Sequence, residues 1–219
     1  MTLRVEPSVA PAPRHPEPWQ VADGVWLAVA AYADGSGAAL PSERAQAVGM
    51  PDWRAREFLA GRGVLRALLE SVAPYAATAT VVRDRRGKPH LAGHPDLGVS
   101  VSHDGGTAAA AVATGRAVGV DVQHPPAGGA APALARRCLR GHHDTLARLP
   151  AAGAAAELAW VWTAQEACVK ATGQGVAGRP WEIDVPLGGR AGTWREHRWL
   201  SLREHSATPL SCAFSQEER

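Results

Sequence analysis

Apolar positions along the chain fall into two long helical patterns, each set among short runs that read as strands. In DWRAREFLAGRGVLRALLESVA, residues 52–73, Phe58, Leu65, Leu68 and Leu69 recur at helical spacing, which predicts an amphipathic helix. Arg62 and Arg66 stand four apart along one side of it. AAAELAWVWTAQEACVKATGQG predicts a second helix over about 154–172, with Gly173 placed to end it. GVWLAVAAY, residues 24–32, fits a buried strand. Three or four short strands are expected between residues 81 and 123, punctuated by Gly-Lys-Pro, by Gly93 to Pro95 and by Asp104-Gly-Gly. A short basic helix is expected at 132–140, and WEIDVP, HRWLSLREH and LSCAFS read as closing strands.

A strand, a long helix and more strands thus occur twice, which predicts two similar halves meeting near residue 115. Residues 19–114 form the expected N-terminal half and residues 115–219 the C-terminal half. The first 18 residues, rich in proline and poor in bulky apolar groups, are expected to be a flexible tail.

Composition adds exclusions. The 219 residues are 46% hydrophobic and 20% charged, which fits a globular protein with a real core. A net charge of +2 argues against wholesale nucleic-acid binding, although local basic clusters remain available for phosphates. No apolar run approaches the ~20 residues of a membrane span, and the N-terminus lacks the apolar core of a signal peptide. Cys138, Cys168 and Cys212 lie far apart, with no zinc-like spacing, so reduced thiols in a cytoplasmic protein are expected.

Four places could carry chemistry. In GRAVGVDVQHPP, residues 115–126, Asp121 interrupts an apolar run, and strand alternation puts Gln123 on the same face. An exposed strand edge would explain an isolated Asp, but oxygen ligands at i and i+2 also suit a hard cation such as Mg²⁺. In WTAQEACVKATGQG, Glu166 and Lys170 stand four apart in apolar surroundings. They form either a surface ion pair worth a few tenths of a kcal/mol or, together, an acid for a metal and an amine for a phosphate. SVSHDGG ends a strand with Ser102 and His103 at a glycine turn suited to phosphate oxygens. Adjacent strand residues face opposite ways, which disfavours a Ser-His dyad. RDRRGKPH places three arginines and Lys88 around one acid, and with Arg62, Arg66 and Lys170 offers cations for a multiply phosphorylated ligand.

VGVDVQ followed some forty residues later by WTAQEACVKATGQGV resembles the paired signatures of the 4′-phosphopantetheinyl transferase superfamily. The preceding GKP and VSVSHDGG segments resemble its monomeric type, which activates peptide synthetase and polyketide synthase carriers of secondary metabolism. The resemblance implies an α+β fold of two pseudo-symmetric halves, each a long helix on a small antiparallel sheet, with coenzyme A between them. It implies Mg²⁺-dependent transfer of phosphopantetheine to a carrier-protein serine with release of 3′,5′-ADP, and Mn²⁺ as a possible substitute. Asp121, Glu166 and Gln123 match metal positions, with Glu166 also the base for the serine. Lys170 matches a pyrophosphate contact, Ser102 and His103 the phosphate-contacting pair, Lys88 a lysine beside the nucleotide, and Arg62 a coenzyme A contact on the first long helix. A cytoplasmic monomer is expected, with acyl- or peptidyl-carrier domains as partners and neither nucleic acid nor membrane. Two departures stand out: many members have a second acid at Gln123 and a lysine at Gln165. A nucleotide phosphohydrolase, or a coenzyme A- or carrier-binding protein without catalysis, are the alternatives.

Overall fold

The computed structural model describes residues 16–216; most of the expected N-terminal tail lies outside them. The fold is α+β, built from two antiparallel sheets and two long helices. The first sheet comprises β1 (Trp19–Ala22), β2 (Val25–Ala31), β3 (Val81–Arg83), β4 (Pro89–Leu91), β5 (Leu97–Asp104) and β6 (Thr107–Thr114), in the order β1-β2-β6-β5-β4-β3. The second comprises β7 (Val118–Val122), β8 (Ala191–Trp194), β9 (His197–Ser201) and β10 (Leu210–Ser215), in the order β7-β10-β9-β8. The chain leaves the first sheet after Thr114 and enters the second at Val118. Short helices α1 (Tyr32–Gly35) and α2 (Pro41–Ala47) precede the long helix α3 (Asp52–Val72), and α4 (Pro132–Leu139) and α5 (His143–Ala147) precede the long helix α6 (Ala151–Thr172).

Each long helix covers one sheet, and the sheets cover each other. Val64, Leu65, Leu68 and Leu69 of α3 are fully buried against the first sheet, each worth about 1.5–3 kcal/mol of transfer energy. Leu158, Val161, Cys168 and Val169 of α6 pack with Trp199 and Ala213 of the second sheet. Between the sheets lie Val25, Leu27, Val118, Val120, Leu210 and Phe214. The alanines at 108–111 and 113 are buried on both faces of β6 because α3 closes on one side and the second sheet on the other. Small side chains fit where both layers approach.

The helix ends follow local chemistry. Asp52 opens α3, where a carboxylate complements the positive end of the helix dipole, and Pro74 follows its last turn. Gly173 ends α6 in the left-handed conformation (φ 69°), with its N–H donating to the Lys170 carbonyl and the Gln174 N–H to that of Val169. Glycine alone adopts that geometry without a side-chain penalty.

The structure corrects three details. Residues 81–123 hold five strands rather than three or four. WEIDVP forms no strand: Pro180–Glu182 is a single 3₁₀ turn following Arg179, whose positive φ breaks extended structure. β1, α2 and β8 carried too little periodicity to be read from the sequence.

Candidate active site

β7 is the edge of its sheet, and its alternation sorts the chemistry. Val118, Val120 and Val122 turn into the core between the sheets, while Gly119 and Asp121 turn toward α6. A Cβ on Gly119 would stand 2.1 Å from the Ala167 carbonyl oxygen and 2.5 Å from the Ala171 nitrogen, so only glycine lets α6 lie this close. That contact brings Asp121 alongside the last two turns of α6. The free edge of β7 is satisfied by serines of β5: Ser100 Oγ accepts the Val120 N–H at 3.1 Å and Ser102 Oγ that of Val122 at 3.3 Å.

Asp121, 6% exposed, accepts the Ser102 hydroxyl at 2.7 Å and the Lys170 ammonium at 2.6 Å on one oxygen, Oδ1. Lys170 also donates to Ser102 Oγ at 2.9 Å. Ser102 is thereby saturated, with its single hydrogen given to Asp121 and its lone pairs taken by Lys170 and Val122. Lys170 reaches across to β7 for its ion pair instead of along the helix to Glu166. Among the described residues, Glu166 therefore has no ion-pair partner of its own. Burial first, and the Asp121 carboxylate second, raise it above the ordinary carboxylate range, with Lys170 working in the opposite direction.

A cavity of about 240 Å³ opens beside this cluster, lined by Glu57 and Arg62 of α3, Arg83, Arg86 and Lys88 of the β3–β4 hairpin, His103 of β5 and Lys170 of α6. Both sets of elements thus wall one pocket, and its charge is mostly positive. A second, more open pocket adjoins it through Val101, His103 and Lys170, and is lined by Asp121, Gln123, Trp162 and Glu166. His103 Nδ1 stands 3.6 Å from Glu57. Burial lowers its pKa while Glu57 opposes the shift.

Several cations have other duties. Lys88 lines the larger pocket by its stem, but its ammonium donates to the carbonyls of Val118 (3.1 Å), Lys170 (2.6 Å) and Ala171 (2.8 Å). It ties the hairpin of the first sheet to the negative end of the α6 dipole. Burial pulls it down to about 8. Arg66 belongs to the core: it donates to Glu43 at 2.7 Å and to the Ala77 and Ala79 carbonyls. Arg62 is 3.8 Å from the same Glu43, with its guanidinium 5.2 Å from the Phe58 ring centre. Glu43 went unnoticed in the sequence, since an acid in SERAQA looks like any exposed helix residue. Gln165 is fully buried and donates to the Cys138 and Ile183 carbonyls, so it ties α4 and the 180–183 turn to α6, away from the pockets.

Among the described residues no three His, Cys, Asp or Glu side chains gather as a metal site. The donors that do converge are oxygens: two carboxylates, one without a cation, and the amide of Gln123. Such a sparse oxygen set fits a hard ion that keeps water and ligand oxygens in its shell, as Mg²⁺ does. A 4′-phosphopantetheinyl transferase N-terminal domain model matches residues 41–113, and the 4′-phosphopantetheinyl transferase superfamily model matches residues 117–212. The chain belongs to the 4′-phosphopantetheinyl transferase superfamily. No curated protein matches it. Membership implies transfer of phosphopantetheine from coenzyme A to carrier proteins, with coenzyme A as co-substrate and generally a divalent metal. No described helix is long and apolar enough to cross a membrane. For a phosphopantetheinyl transferase the two pockets divide naturally into a basic one and an acidic one, joined at Lys170.

Proposed function

We propose that this transferase moves the 4′-phosphopantetheine group of coenzyme A to the serine of an acyl- or peptidyl-carrier protein, in a Mg²⁺-dependent reaction releasing 3′,5′-ADP. The observation that carries the reading is the junction of a pocket lined by cations with a pair of carboxylates, bridged by Lys170. Asp121 and Glu166, with Gln123 as an auxiliary oxygen, hold the Mg²⁺. The ion neutralises pyrophosphate charge when bound.

The remaining work falls to the protein. Arg62 and His103 face the cavity and receive the phosphates of coenzyme A, with His103 toward the 3′-phosphate and held by Glu57. Lys88 supports the nucleotide side through its stem. Ser102 orients Asp121 and Lys170. Lys170 serves two partners in turn, Asp121 in the free protein and the pyrophosphate in the complex. The carrier serine oxygen forms a bond to the β-phosphorus while the bond to the ADP oxygen breaks. Glu166 accepts the serine proton directly or through water. Residues 19–114 and 115–219 act as the two halves of the binding cleft. A cytoplasmic monomer acting on carriers of peptide and polyketide assembly completes the proposal.

The test is intact-protein mass spectrometry of an apo carrier incubated with the protein, coenzyme A and Mg²⁺. A phosphopantetheine-sized mass gain that disappears with EDTA is expected. Coenzyme A binding without a gain on any of several carriers would overturn the transferase reading, and release of phosphopantetheine with an unmodified carrier would replace it with hydrolysis.

A further inference from the structure

We propose that Asp104 is a positioning residue that fixes the Gln123 amide so that its oxygen, and not its nitrogen, is offered to the cation; this rests on the metal reading above. Asp104 is the last residue of β5, and the two-residue Gly105-Gly106 turn, with φ of 54° and 92°, pairs it with Thr107. Such a turn demands positive φ at both positions and leaves little freedom to the residue before it. From there one carboxylate oxygen, Oδ2, accepts the His124 N–H at 2.6 Å and the Gln123 Nε2 at 3.0 Å. His124 Nδ1 lies 3.3 Å from the same oxygen without hydrogen-bond geometry.

The orientation follows from chemistry. An ionised carboxylate only accepts, so the amide edge facing Asp104 must be the NH₂. The second hydrogen of Nε2 points to the His124 carbonyl at 3.4 Å. Both donors of the side chain are thereby held on protein atoms, and the amide oxygen is what remains. Gln123 lines the open pocket with Asp121 and Glu166. A glutamine without this anchor would present nitrogen as readily as oxygen, and an NH₂ group repels a cation. Asp104 thus lets a neutral side chain serve as an oxygen ligand.

The test is a Mn²⁺ titration of the full chain with coenzyme A but no carrier, followed by electron paramagnetic resonance, which reads binding without turnover. Asp104→Ala and Gln123→Ala should each weaken Mn²⁺ by about 10-fold, the low end of outer-shell effects. The double variant should be no weaker than the poorer single one. Asp104→Asn, which keeps an acceptor oxygen, should stay within about threefold of the parent. Losses that multiply in the double variant would show that Asp104 acts on the ion or the loop independently, and would overturn the proposal, as would an unaffected Asp104→Ala. Asp121→Ala separates the two readings. If it leaves Mn²⁺ affinity intact, the metal site itself is misassigned; if it abolishes binding while Asp104 and Gln123 variants bind normally, only the positioning role falls.

Discussion

Two charge clusters, one on each long helix, use acids and cations to opposite ends. Around α3, one carboxylate meets two guanidiniums: Glu43, Arg66 and Arg62 are 3%, 1% and 7% exposed, and Glu43 also accepts the Leu40 N–H. Arg66 places four of its five N–H donors, two on Glu43 and one each on the Ala77 and Ala79 carbonyls. Around α6, two carboxylates meet one ammonium, and Lys170 takes Asp121, leaving Glu166 half-buried and without an ion-pair partner among the described residues. In the first cluster Glu43 and Arg66 satisfy each other and are therefore structural, while Arg62, 3.8 Å from Glu43, still faces the cavity. The second is left short of positive charge, and that shortage is what a cation and a pyrophosphate-binding lysine can use.

The contrast is open to direct test. Glu166→Gln should lower carrier modification on the order of 10³-fold while leaving thermal stability equal or higher, since it removes a carboxylate that burial disfavours. A large loss of stability instead would mean that the α6 cluster is structural too. Glu43→Ala should do the reverse, losing ~3 kcal/mol in urea denaturation by stranding Arg66 in the core, with Mn²⁺ binding by the folded fraction retained. Lys88 joins the two sides, and its contribution should appear in pH dependence. Between about 8 and its ordinary 10.5, the folded chain binds fewer protons than the unfolded one, so stability rises with pH across that window and is lost as pH falls through about 8. Lys88→Met should flatten that slope in denaturation curves taken across the window. Smallest of all, Glu204→Ala removes an exposed pair with Arg190 and should shift stability by less than about 0.5 kcal/mol.

The elements that announced themselves did so by length and repetition. α3 runs Asp52–Val72 against an expected 52–73, and α6 ends at the expected Gly173 because that glycine had a mechanical reason to be there. β7 was legible from its valines, and Asp121, Glu166 and Lys170, singled out from their motifs, line one pocket of the candidate site. What stayed hidden was the assignment of partners. Charge and spacing do not say whether Arg66 faces solvent, ligand or a buried Glu43, because that partner lies 23 residues away on another helix. Likewise Lys88 reads as a free cation in a hairpin until the fold lays the α6 carbonyls over it. Gln165 looked like a departure at the site; the helix turns it into the core. WEIDVP had strand composition, and a proline and a left-handed arginine before it overrode that.

Gly119 sets the gauge of the whole centre. With no Cβ at Gly119, the strand backbone lies directly against the backbone of α6 at Ala167 and Ala171, and the acids on the two elements inherit that spacing as a caliper holds its jaws. Any side chain there acts as a shim. Gly119→Ala would part the jaws without touching either acid, and on the metal reading proposed above the wider gap would favour larger ions over Mg²⁺. Size discrimination would then rest on a residue that has no side chain with which to bind a metal.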